Sequence, residues 1–167
     1  MLETRRFKAE SYLPTRQAMQ NTCLALKSNL QEMKKLAAAA AAMKNSEGGD
    51  EQKRLLFLAS CFFDFYLLAE DCFLQIARSL DRWIPGSLDW RRRLISLMLL
   101  PNPEKRPPLI SLRTADLLND FLVLAVNYHQ HCSKLSAEKT DRMAESLDEL
   151  YDLLEEELTQ FIKLFGF

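Results

Sequence analysis

The 167-residue chain is poor in the residues that interrupt helices, with only four glycines and six prolines. A strand-rich fold needs a turn every ten residues or so, and this supply is too small for one. Histidine is scarce as well: His129 and His131 are the only two. The four cysteines, Cys23, Cys61, Cys72 and Cys132, include no CxxC pair. Neither a zinc ribbon nor a disulfide framework is therefore indicated. They read as reduced thiols of a cytoplasmic protein, and no metal or cofactor is expected. No run of about eighteen uncharged apolar residues occurs, so no membrane span is expected. The opening stretch, MLETRRFKAESYLP, lacks the apolar core of a secretory signal. Excess charge is missing too. A formal net charge of -1 gives no general attraction to polyanions, so any nucleic-acid site must be a local basic patch.

What is present is helical periodicity. Hydrophobic content of 48% and charged content of 27% suit one globular domain spanning residues 1–167. Residues 11–45 read as a long first helix, with Ser11 as its cap and Pro14 in its opening turn. Leu24, Leu26, Leu30, Met33 and Leu36 supply its apolar stripe, and the alanine run at 37–42 extends it. Gly48 and Gly49 then mark a loop.

Asp50 caps a second helix running to about Arg82, apolar nearly all round and therefore expected to be the central one. Cys61 and Cys72, three turns apart on this helix, read as core thiols. Ser87 or Asp89 opens a short third helix over residues 89–99, and a proline-bearing connection follows to Ser111. A fourth helix is expected over roughly 112–132. The last, from about Ala137 to Leu164, carries the stripe Met143, Leu147, Leu150, Leu154, Leu158, Phe161. The fold class is all-α: an antiparallel bundle of about five helices, four long and one short.

The order of these elements from Phe57 to Phe165 resembles the HepT-like branch of the HEPN helical-bundle proteins. The resemblance is carried by FYLLAEDCFLQIARSLD at 65–81, PGSLDW at 85–90 and RPPLIS at 106–111. It continues through the stretch from LLNDFL to Leu135 and the acidic-apolar closing helix. It implies a HEPN-like bundle and a toxin of a toxin–antitoxin pair. The activity implied is a metal-independent endoribonuclease whose site forms across a homodimer. The implied partner is an MNT-type nucleotidyltransferase antitoxin, which adenylylates a site tyrosine.

The family motif is an arginine, four residues, histidine or asparagine, one residue, and tyrosine, near the end of the fourth helix. Laid on this chain, the three positions fall on Ala125, Gln130 and Cys132. Shifting the register by one residue puts His131 at the histidine position, but then Val126 takes the arginine position and the apolar register is spoiled. Metal-free cleavage of RNA needs a base, an acid and a cation at the phosphorane. Gln130 exchanges no proton at neutral pH, and Ala125 brings no charge. The expectation is a remnant site of Gln130, His129, Cys132 and Asn127, with cleavage weak or lost.

Each candidate also has a plainer explanation. His129 and Cys132 share a helix face but show no third ligand, and a histidine near a helix C-terminus suits the helix dipole. Arg91, Arg92, Arg93 and Arg106 form a basic cluster that could cradle phosphate or RNA, or simply solvate a surface. Glu70 and Asp71 interrupt an apolar helix where the resemblance places a polar residue facing the motif helix. They are candidate former partners of the arginine replaced by Ala125. An exposed turn or a salt bridge toward Arg78 accounts for them as well. A non-catalytic module that binds RNA or a nucleotidyltransferase is the alternative function.

Overall fold

The computed structural model describes residues 14–46, 48–131 and 136–167, with the backbone alone at 128–131. Ser11 and Cys132 lie outside the described residues. Helix α1 spans Arg16–Lys44. Its cap is Thr15, whose hydroxyl accepts the Ala18 N–H at 3.1 Å. Pro14 thus precedes the cap rather than sitting in the first turn, because Thr15 takes the extended backbone an N-cap requires. The alanine run is helical, as its propensity predicts.

Helix α2 spans Glu51–Ile76, and the Asp50 carboxylate accepts the Gln52 and Lys53 N–H groups. Beyond Ile76 the chain widens into a π-helical turn, Ala77–Asp81. The Ser79 hydroxyl donates to the Gln75 carbonyl at 2.7 Å, competing for the backbone acceptors just where the ladder changes. The turn ends at Arg82 in the left-handed region, with φ of 54°. Helix α3 follows at Trp90–Leu99, helix α4 at Leu112–His131 and helix α5 at Ala137–Leu164. Ser111 accepts the Thr114 N–H at the start of α4, and Ser136 accepts the Lys139 N–H at the start of α5. Among the described residues no strand forms. Asn102 and Arg106 make an isolated antiparallel bridge within the connection between α3 and α4.

Ion pairs between helices fix their directions. Lys44 at the end of α1 meets Glu145 early in α5 at 2.6 Å, and Arg54 early in α2 meets Asp141 at 2.7 Å. Arg113 at the start of α4 reaches Glu149 at 2.7 Å, and the Thr114 hydroxyl donates to Glu157 at 2.9 Å. Helices α1 and α4 therefore run one way, and α2 and α5 run the other. This is an up-down-up-down bundle. Helix α2 packs against α1, α3, α4 and α5, so its near-continuous apolar surface is used on most sides. Phe62 on α2 and Phe121 on α4 meet edge to face at 5.6 Å and are both almost fully buried. That contact sets the register between the two helices. Cys23, Cys61 and Cys72 are all buried, consistent with thiols used for packing.

Candidate functional site

The positions expected to hold the motif fall at the end of α4. The helix continues to His131, which places Asn127 through Gln130 on regular helical backbone. Side chains of His129, Gln130 and His131 and the whole of Cys132 lie outside what is described. Asn127 is half-buried, and its amide donates to the Val123 carbonyl one turn back at 2.9 Å, so its NH₂ serves its own helix. Ala125 is half-buried and packs against the hydrophobic core. Val123 and Val126 are the exposed apolar residues of this stretch.

Glu70 and Asp71 do not face Ala125. Phe62 lies opposite Phe121, so Glu70, eight residues further along the antiparallel α2, comes level with the start of α4. Ala125 lies four residues past Phe121 in the other direction. The separation is about 18 Å along the axis at 1.5 Å per residue. Asp71 instead accepts a hydrogen bond from the Asn29 amide of α1 at 2.8 Å, and Glu70 pairs with Arg91 of α3, also at 2.8 Å. The partner of Glu70 is thus neither an α4 residue nor Arg78.

Glu70 is buried, and burial pushes its carboxyl above the usual range against the opposing pull of Arg91 and the Tyr66 hydroxyl. The same burial, with the Glu70 charge alongside, raises the Tyr66 phenol strongly. Tyr66 and Glu70 are one helical turn apart on α2, a spacing visible in the sequence but not singled out from it. Arg91 remains more than a third exposed, and its guanidinium stands 4.5 Å from the centre of the Trp90 ring.

The other cluster arginines have different environments. Arg92 is exposed, and Arg93 pairs with Asp89 one turn back at 3.0 Å. The Asp89 carboxyl is held below its ordinary range, first by the Ser87 hydroxyl and then by Arg93. Arg106 corrects the expectation of a phosphate ligand. It is 4% exposed and ion-paired to Asp81 at 2.7 Å, and it donates to the Leu97, Leu100 and Pro107 carbonyls. Nothing in RPPLIS distinguishes an arginine that turns inward from one that turns outward.

At the end of the bundle where α4 finishes lies a cavity of about 590 Å³. Its charged lining is Lys44, Lys53 and Arg54 opposed by Asp50, Glu51 and Asp141. Arg54 is half-buried, bridging Glu51 and Asp141. The sequence signal for this pairing is the three-residue spacing of Arg54 from Glu51 on one helix face. Among the described residues no group of three or more histidine, cysteine or acidic side chains is arranged to hold a metal ion. No helix of the described chain is long and apolar enough to cross a membrane.

Four long antiparallel helices with a short α3 against α2 and α4 define an all-α bundle protein of HEPN-like architecture. The chain belongs to the HepT-like protein family, whose model matches residues 57–165, from early in α2 to just past the end of α5. No curated protein and no solved structure matches it.

Proposed function

We propose that this protein is a toxin-type member of the HepT-like family, RNA-directed, in which cleavage chemistry is weak or lost. It would act as a homodimer beside an MNT-type nucleotidyltransferase partner. The toxin–antitoxin role, the dimer, the RNA and the partner are what family membership implies. The observation that carries the loss of chemistry is the character of α4 at its motif end. The arginine position is Ala125, half-buried against the core, and the histidine and tyrosine positions are Gln130 and Cys132.

Alanine offers the phosphorane neither charge nor donor, and glutamine moves no proton at neutral pH. Losing one oxyanion-type contact commonly costs roughly a hundredfold in rate. Base and cation missing together leave little cleavage. On this reading Cys132 takes no adenylyl group as tyrosine would, so that mode of control is lost as well.

The test is cleavage of RNA by the purified protein in excess EDTA, beside Gln130→Ala and the triple variant Ala125→Arg/Gln130→His/Cys132→Tyr. Negligible cleavage by the first two and a gain in the third are expected. Wild-type cleavage that disappears in Gln130→Ala would overturn the assignment. Sedimentation of the same sample should show a dimer, and a strict monomer at high concentration removes the composite groove. The alternative, a module that holds RNA or a partner without chemistry, is favoured by Arg91 and Arg92, which sit on α3 away from the motif. It predicts RNA binding that weakens with salt and proceeds without cleavage.

A further inference from the structure

We propose that Arg91 and Arg92, at the start of α3, hold the phosphodiester backbone of single-stranded RNA, an inference that rests on the RNA-directed reading above. Among the described residues, two arginines that meet buried carboxylates, Arg91 and Arg106, are used differently. Arg106 spends every N–H inside the protein, on Asp81 and three carbonyls, and its side chain is fully buried. Arg91 spends only Nε, donated to Glu70 Oε2 at 2.8 Å, and its side chain stays 38% exposed. No acceptor among the described residues takes either of its Nη groups.

The guanidinium is nevertheless fixed. Glu70, itself buried beside Tyr66, anchors one edge, and the Trp90 ring lies 4.5 Å from the guanidinium carbon. The remaining edge carries two Nη groups in the fork that matches two oxygens of one phosphate. Preorganisation of this kind removes the rotamer entropy that a surface arginine loses on binding. Arg92, exposed on the next residue, adds a second cation, whereas Arg93 is engaged by Asp89. An arginine recruited only to neutralise Glu70 would gain by turning its Nη groups inward, as Arg106 does.

The experiment is fluorescence anisotropy of a 5′-fluorescein 12-nucleotide oligouridylate against the full chain, at several salt concentrations. The variants are Arg91→Lys and Arg92→Ala. Lysine preserves a charge for Glu70 but lacks the fork, so it should bind about tenfold more weakly with the salt slope unchanged. Arg92→Ala, at an exposed position, should bind several-fold more weakly and lower the slope by about one. Thermal melting of each variant separates a site effect from unfolding. Binding by wild type that neither substitution weakens places the RNA elsewhere and overturns this inference, while the RNA-directed reading stands. No binding by wild type at tens of micromolar overturns both.

Discussion

The Arg106 guanidinium and the Asp81 carboxylate form a buried ion pair 25 residues apart in sequence, at 2.7 Å, with side-chain exposures of 0% and 4%. The five N–H groups of Arg106 make five hydrogen bonds: two to Asp81 and one each to the Leu97, Leu100 and Pro107 carbonyls. Asn102 adds a bond to the other Asp81 oxygen at 2.9 Å. The connection pairs part of its own backbone at the Asn102–Arg106 bridge, and the Arg106 guanidinium supplies donors to the Leu97, Leu100 and Pro107 carbonyls. It ties the π-helical turn to the chain between α3 and α4.

Arg106→Ala is accordingly expected to cost about 3–5 kcal/mol, because it leaves Asp81 and three carbonyls without their partner. Urea unfolding of wild type and variant measures this. A loss below about 1 kcal/mol would mean that water replaces the guanidinium at no cost. Asp81→Asn should cost less, since the amide oxygen still accepts from Arg106.

Glu70 predicts the sign of a pH effect. Its folded carboxyl titrates above the unfolded one, chiefly because it is buried, so the folded state holds the proton more tightly. Its contribution to stability is then fully present below the ordinary glutamate range near pH 4.5 and declines as pH rises through the folded value. Glu70→Gln removes that titration. The melting temperature of the variant relative to wild type should therefore rise from pH 4 to pH 8. A variant melting temperature that instead falls relative to wild type over this range would mean that the pairing with Arg91 outweighs burial.

Phe62 and Phe121 join α2 to α4 at 5.6 Å, with ring planes 79° apart. Either Phe→Ala substitution should destabilise by about 3–5 kcal/mol, the usual cost of emptying a packed aromatic site. The double-mutant cycle should return a coupling of about 0.5–1.5 kcal/mol for the edge-to-face pair. Additive losses would indicate that the rings fill space without contributing through their geometry.

The buried thiols are expected to be inert. Burial pushes Cys72 up to about 12 and raises Cys23 and Cys61, so little thiolate forms at neutral pH. Iodoacetamide at pH 8 followed by peptide mass spectrometry should leave all three unmodified in native protein and alkylate them in urea. Fast native labelling of Cys72 would show that α2 opens locally.

Much of the bundle was legible in the order of the residues. The apolar stripe of α5, the Asp50 cap and the Gly48–Gly49 loop are local patterns, and the helices that they predict form within a few residues of the expected ends. Those signals work because a helix closes its hydrogen bonds within one turn, so its pattern is written in neighbouring residues.

The fate of Arg91, Arg106, Glu70 and Asp71 was decided only by tertiary structure. Arg91, Arg92, Arg93 and Arg106 looked like one basic cluster. One is anchored by a buried glutamate, one is exposed, one is paired within its own helix and one is interred. Asp71 turned to α1, and Glu70 to α3. A charge is placed by what lies within about 4 Å of it, and for Glu70, Asp71 and Arg106 those neighbours come from segments 21 to 42 residues away in the chain. Periodicity determined which face of each helix enters the core. The packing of the helices against one another determined which carboxylate each arginine meets, because that distance exists only once the bundle has closed.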